Sequence, residues 1–386
     1  MDRLLVVGCG SIGERHIRCL GSCEDVEVVA CDPRPERLEQ MRELYATAGG
    51  IADYADADLS EFDAVLICTP TDQHIPQAMR AVEAGCHLFV EKPISTDLTG
   101  VRELCEAAED ADLVLQVGYV LRHHPAIAEA KRLIAEGAIG EVYMADIHCG
   151  SFIGDARPEY ASLYWAKRAT GGGVLYDASH EIDLIQWILG PVTDVSCLAK
   201  HFMLNVDADV DDGAVLAMRT NAGALVSMFC NDIQRCGRRG GQIIGSEGNV
   251  EYNYREGRVS IYNAETRVWT HRQREYERDD FYINQMRNFC AAIRGLVREL
   301  AGDDHGPRDA SVVRRATSRR RDLGADPRVD TIGVFNSGVT PPNPDAPSRL
   351  AGSLKITYSH WPLVVPNACV LRPRVSPELC IRSATD

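Results

Sequence analysis

The feature that most limits what this chain can fold into lies in its first twenty residues. An apolar run, Leu4–Val7, leads straight into Gly8-Cys9-Gly10-Ser11-Ile12-Gly13, and a helical pattern over Ile12–Leu20 follows. In that context the first glycine permits a tight turn and the second lets the backbone approach a pyrophosphate. The third allows close helix–strand packing, and Ser11 and Ile12 open a helix whose free N–H groups suit phosphates. Asp32 ends a second β-rich run, Glu27–Cys31, 19 residues past Gly13. A carboxylate there accepts hydrogen bonds from both hydroxyls of an adenosine ribose and repels a 2′-phosphate, which favours NAD. Arg34 keeps NADP open, because a guanidinium at that place also suits a 2′-phosphate.

Further apolar runs at Ala64–Cys68, His87–Val90 and Leu113–Val117 alternate with helical patterns at Pro35–Tyr45, His74–Ala84 and Leu98–Ala108. Near-continuous apolar strands between helices predict a doubly wound parallel sheet covered on both faces. The pattern changes after Pro125. Helices at Ala126–Glu136 and Ser179–Leu189 accompany strands at Val142–His148, Val192–Leu198, Ala214–Arg219, Ala224–Asn231, Gln242–Ile244, Asn249–Tyr254 and Val259–Tyr262. Short glycine-bearing turns between several of these predict an antiparallel sheet, closed by a helix over Phe281–Arg294. The expected organisation is therefore a dinucleotide domain at 1–121, a second α/β domain at 122–302 and a tail at 303–386. Net charge is −18 over residues 1–302 but +3 over 303–386, where 10 of the 18 prolines and Arg314, Arg315, Arg319, Arg320 and Arg321 fall. That composition predicts a poorly ordered tail.

The overall charge of −15 opposes binding to nucleic acid or to an anionic membrane. No stretch approaches the roughly 20 apolar residues that span a bilayer, and the N-terminal run lacks the features of a signal peptide. A cytoplasmic protein is expected. The 14 cysteines form no CxxC pair, which opposes a zinc or disulfide framework, and His123-His124 has no companion carboxylate motif. No metal site is expected.

Two segments follow the third and fourth long strands: Thr69-Pro70-Thr71-Asp72-Gln73-His74 and Glu91-Lys92-Pro93. Ligands of open parallel sheets bind beyond the carboxyl ends of strands, so both point at the cofactor crevice. Taken alone, His74 also reads as a helix-start residue and Lys92 as a solvated lysine. Together with the glycine turn, with Gly118-Tyr119, Arg122 and Pro125, and with Gly171-Gly-Gly-Val-Leu-Tyr-Asp177-Ala-Ser-His180-Glu-Ile-Asp183, these segments resemble the glucose–fructose oxidoreductase/inositol dehydrogenase/rhizopine catabolism (Gfo/Idh/MocA) family. The resemblance spans roughly residues 3–295.

The resemblance implies an N-terminal Rossmann domain that binds NAD, with NADP open. It also implies a C-terminal α/β domain whose open, mainly antiparallel sheet serves as the interface of a dimer or tetramer. Lys92 corresponds to the active-site lysine, and Asp177 and His180 to its partners, although they stand three residues apart where many members have four. Either Asp177 or Asp183 then orients the imidazole. Gly8, Gly10, Ser11, Ile12, Gly13, Asp32, Arg34, Thr69, Pro70, His74, Glu91, Lys92, Tyr119 and Arg122 are the cofactor candidates. Tyr164, Trp165 and Arg168, ahead of the glycine turn, and Asp183 are the substrate candidates. The implied activity is hydride transfer between nicotinamide and a hydroxyl or keto carbon of a sugar, nucleotide sugar or cyclitol. Two other classes compete: a lyase or glycosidase that oxidises its substrate transiently with NAD, and a regulatory subunit that only senses a dinucleotide. Beyond the expected final helix the Arg- and Pro-rich stretch departs from the family pattern, which suggests a replaced C-terminus.

Overall fold

The structure, a computed structural model, describes residues 1–153, 166–167, 171–203 and 210–296. The tail from residue 303 lies outside them, as do Tyr164, Trp165 and Arg168.

Strands β1 (Asp2–Val7), β2 (Val26–Cys31), β3 (Gly49–Ile51), β4 (Ala64–Ile67), β5 (His87–Val90) and β6 (Leu115–Val117) form one parallel sheet, ordered β3-β2-β1-β4-β5-β6. Helices α3 (His74–Glu83) and α4 (Val101–Asp110) pack on one face, against Leu5, Val65, Ile67 and Leu88. On the other face α1 (Ser11–Leu20) and α2 (Pro35–Tyr45) meet Leu4, Val6, Leu66 and Phe89. Cover on both sides explains why these strands read as unbroken apolar runs. Helix α4 starts at Val101 rather than Leu98, because Gly100 takes a left-handed φ of 73° just before it. Strand order reverses between β1 and β4, which opens a crevice at their carboxyl ends.

After α5 (Pro125–Ala135) the chain builds a second sheet from β7 (Val142–Phe152), β8 (Val192–Lys200), β9 (Gly213–Thr220), β10 (Leu225–Asn231), β11 (Ile233–Gly245), β12 (Gly248–Asn253), β13 (Arg258–Asn263) and β14 (Val268–Gln273). Their order is β14-β13-β12-β11-β7-β10-β9-β8, and all neighbours are antiparallel except β7 with β10. A single turn, α6 (Val174–Asp177), precedes α7 (Ser179–Leu189). One face of this sheet buries Ile147, Leu216, Met228 and Ile243 in a core shared with α5 and α7. The other face is open and leaves Met144, Leu198, Val215, Leu225 and Phe229 exposed.

Four elements differ from the sequence reading for physical reasons. Strand β3 has three residues, two of them glycine, and β14 is exposed throughout, so neither carries an apolar signal. Strand β11 runs for 13 residues where only Gln242–Ile244 is predicted, since Arg235–Gly241 offers hardly any apolar side chain. Helix α8 (Asp280–Ile293), expected to close the second unit, runs back to the first. Its Phe281 joins the second core, whereas Met286, Phe289 and Cys290 pack beside Ile17, Leu20 and Met41 of the first.

At this joint His124 is fully buried, stacked on Tyr254 at 4.6 Å and edged by Tyr276 and Phe281. Burial lowers its pKa from 6.5 to about 4. The unfolded chain thus takes up a proton at His124 near pH 6.5 that the folded chain refuses until about pH 4, and stability falls as pH drops through that window. His124→Phe keeps a ring in the box and is expected to flatten this fall. Melting temperature followed from pH 7 to pH 4 checks it; an unaltered slope would rule His124 out as its source.

Candidate active site

The glycine turn is built around close contacts and one open side. Gly8 has a φ of +90°, and a Cβ on it would lie 2.8 Å from the Cys68 carbonyl oxygen. A Cβ on Gly13 would lie 1.9 Å from the Gly8 carbonyl oxygen, so turn and helix touch there. Around Gly10, by contrast, nothing lies within 4 Å of such a Cβ. Helix α1 makes its first backbone bond from Glu14 N–H to Gly10 at 2.9 Å, and the N–H groups of Ser11, Ile12 and Gly13 lack an intrahelical acceptor. Free donors beside open space at a helix N-terminus fit the pyrophosphate of a dinucleotide.

Asp32 stands at the end of β2, 2% exposed. It accepts the Cys9 N–H at 2.8 Å and the Arg34 N–H at 3.0 Å, and the Arg34 guanidinium donates to both of its oxygens at 2.8 and 2.9 Å. Burial alone raises its pKa; the hydrogen bonds from Arg34 and Cys9 outweigh it and hold the carboxyl below its ordinary range. Arg34 thus covers the carboxylate that would receive a ribose, while its own side chain stays half exposed. Thr69 donates its hydroxyl to Gln77 at 2.6 Å next to Pro70. His74 is buried, with its ring nitrogens 2.9 and 3.0 Å from the carbonyl oxygens of Thr69 and Pro93. Burial lowers the His74 pKa, and the neutral ring donates to one of these two carbonyls, so His74 sits between the two loops with both nitrogens turned to backbone.

The groups of the expected chemistry come from both halves. Lys92 follows β5, and its Nζ lies 3.7 Å from Asp177 Oδ1 at the end of α6. Asp211 caps that turn by accepting the Leu175 N–H at 3.2 Å. His180, one residue into α7, meets the Tyr119 ring edge-on at 5.8 Å. Burial, then the Lys92 cation, then Arg239 depress its pKa well below 6.5, so the imidazole is neutral at physiological pH.

Neither expected carboxylate hydrogen-bonds this imidazole among the described residues. Asp183 is engaged by Arg122, whose Nε donates to Oδ2 at 2.8 Å, and Asp177 faces Lys92. The next carboxylate, Glu181, accepts from Arg239 at 2.6 and 3.0 Å. The two arginines thus hold α7 from the turn before α5 and from β11, which fixes its rotation and the direction of His180. Removing one partner of such a buried pair typically costs about 3–5 kcal/mol.

Two residues escaped the sequence reading. Asp232, just past β10, is buried, and burial together with Asp177, Asp212 and Asp211 pushes its pKa up to about 8. His16, on the inward face of α1, lies 2.6 Å from Glu91. Asp232 carries no sequence signal; His16 carries only its position three residues past Gly13.

The glycine geometry separates binding from folding. Gly10→Val is expected to leave the melting temperature within a few degrees and to abolish NADH binding, because its side chain enters open space. Gly13→Val is expected to unfold the turn, because its Cβ meets the Gly8 carbonyl. Calorimetric titration and thermal melts check both; unchanged NADH affinity in Gly10→Val would misplace the pyrophosphate.

Residues 3–119 match the model of an oxidoreductase family with an NAD-binding Rossmann fold, and residues 127–251 match the GFO/IDH/MocA C-terminal domain. An inositol 2-dehydrogenase of Rhizobium meliloti (strain 1021) is 29% identical over 313 residues, which are 78% of this chain and 92% of the relative. A scyllo-inositol 2-dehydrogenase (NAD(+)) of Bacillus subtilis (strain 168) is 30% identical over 264 residues, 64% of this chain and 72% of the relative. The solved structure of a levoglucosan dehydrogenase in complex with NADH and levoglucosan shares the fold, with a TM-score of 0.69 at 21% identity over 76% of this chain and 90% of that one. With a glycine turn shaped for a dinucleotide at one end of the site and Lys92 beside Asp177 at the other, the chain is an NAD-binding oxidoreductase and belongs to the Gfo/Idh/MocA family.

Proposed function

We propose that this oxidoreductase transfers hydride between nicotinamide and a hydroxyl or keto carbon of a sugar, nucleotide sugar or cyclitol, with Lys92 and His180 acting on the reacting oxygen. The observation that carries the reading is the meeting of Lys92, from the parallel sheet, with Asp177 and His180, from the second half. Relatives named for inositol favour a cyclitol as the first substrate to try. The functional division falls near residue 121, with cofactor residues before it and substrate residues from 122 to 302.

Gly8, Gly10, Ser11, Ile12 and Gly13 would hold the pyrophosphate, and Asp32 with Arg34 the adenosine ribose. When bound, the nicotinamide supplies a hydride acceptor or donor. Neutral His180 takes the hydroxyl proton during oxidation and returns it during reduction. The Lys92 ammonium donates a hydrogen bond to the same oxygen and stabilises the charge that gathers there. Asp177 holds Lys92, Tyr119 packs against the imidazole, and Arg122 acts through Asp183 on the helix that carries His180.

The exposed row Phe229–Val215–Leu198 runs across three paired strands of the open face, and Ile244–Met144–Leu225 forms a second. Apolar rows of this extent favour cover by a second copy of the chain, hence a homo-oligomer. No helix among the described residues is long and apolar enough to cross a membrane. The acidic net charge fits a cytoplasmic enzyme.

Lys92→Met and His180→Asn are each expected to lower kcat by about 10²–10⁴-fold while NADH still quenches protein fluorescence. Because burial and Lys92 depress the His180 pKa, the acid limb of the oxidation profile should lie below pH 6.5 and vanish in His180→Asn. Steady-state kinetics with inositols and sugars test this; if both variants keep more than about a third of wild-type kcat, the assignment fails. Cofactor choice is a separate test. Asp32→Ser is expected to shift kcat/KM toward NADP by at least about tenfold, roughly 1.4 kcal/mol, and Arg34→Ala to shift it toward NAD. A wild type that prefers NADP would overturn the role given to Asp32.

A further inference from the structure

Helix α1 turns one polar side chain, His16, into the core, where it has no exposed surface. Its Nε2 lies 2.6 Å from Glu91 Oε1, and its Nδ1 has no hydrogen-bond partner. The imidazole therefore donates from Nε2–H to the carboxylate. The other carboxylate oxygen accepts the backbone N–H of Lys92 at 3.0 Å. Glu91 is itself buried, and its own N–H donates to the Ile67 carbonyl at 2.9 Å. Above it, a Cβ on Gly118 would come within 2.9 Å of Oε1, so only glycine leaves the carboxylate its place. Phe89 and Tyr282, the latter from α8, pack edge-on around the imidazole at 5.0 and 5.9 Å. The carboxylate thus has one donor on each oxygen and the Gly118 backbone against it.

We propose that His16 is a positioning residue for hydride transfer: through Glu91 it fixes the Lys92 peptide and couples Lys92 to the helix that begins at the dinucleotide turn. The proposal rests on the role given above to Lys92. Without the His16 donor, Oε1 is buried and unmet, and the carboxylate rotates toward another donor. Rotation takes Oε2 away from the Lys92 N–H and releases the peptide that carries Lys92. The glycine end of α1 is unaffected, so the loss should appear in turnover and not in cofactor affinity.

The test compares His16→Leu, which removes the donor, with His16→Gln, whose amide N–H can still reach Glu91. Wild type, Lys92→Met and the double variant Lys92→Met/His16→Leu complete the set. With NAD saturating, His16→Leu is expected to lower kcat tenfold or more while the NADH Kd from fluorescence changes less than threefold. His16→Gln should recover most of that loss. Because His16 acts through Lys92, the double variant should be no slower than Lys92→Met alone. Should His16→Leu fail to fold, Glu91→Ala and Glu91→Gln take the same places in the comparison, with the same expectations. The proposal is overturned if kcat stays within twofold of wild type, if NADH affinity falls in step with kcat, or if the losses in the double variant multiply. A harmless His16→Leu beside a crippled Lys92→Met would overturn only this proposal, whereas a harmless Lys92→Met would overturn the underlying role of the lysine.

Discussion

Everything chemical in this molecule depends on holding two sheets in register, and helix α8 is where that is done. Its first turn lies in the core beneath the open sheet and its later turns in the core of the parallel sheet. Arg18 reaches Asp279 at 3.0 Å and Arg294 reaches Asp2 at 2.6 Å, so polar contacts bracket the apolar ones. Lys92 of one half lies 3.7 Å from Asp177 of the other, and one helix belongs to the cores of both. Without it, Lys92 and Asp177 would be delivered by separate bodies.

The electrostatics of the site follow from that placement. Burial and a neighbouring cation act in the same direction on His180, both favouring the neutral imidazole. On the carboxyl side, burial and neighbouring aspartates act together on Asp232 and favour the protonated acid. The site thus brings together a neutral imidazole, a carboxyl pushed toward its protonated form and the side chain of Lys92. Arg122 and Arg239 neutralise the remaining carboxylates of α7, so the helix carries little unpaired charge into the core.

How much of this is legible in the sequence depends on how local each signal is. Leu4–Val7 and Ala64–Cys68 stand out because burial on both faces removes every polar position from them. Ala214–Arg219 stands out because a half-covered strand alternates. Arg235–Gly241 and Val268–Gln273 do not, since an open face and an exposed edge impose no apolar pattern. The glycine turn, Lys92, Asp177 and His180 each sit in a short motif whose spacing carries their meaning. His16 and Glu91 are 75 residues apart and meet only once the sheet has formed, so no window of sequence contains their bond. The same holds for Arg122 and Asp183, 61 residues apart, whose pairing decides that Asp183 does not serve the imidazole.

The edges of the open sheet carry a consequence for how copies of the chain can meet. Strand β8 begins with an irregular register between Val192 and Asp194 and ends in Lys200, and β14 at the opposite edge carries Arg272. A kinked start and charged side chains discourage a further strand from pairing on either side. Lateral growth, which would repeat without limit, is therefore disfavoured by the same residues that end the sheet. Contact through the broad face remains open, and a pair stacked that way covers its own adhesive surface and stops growing.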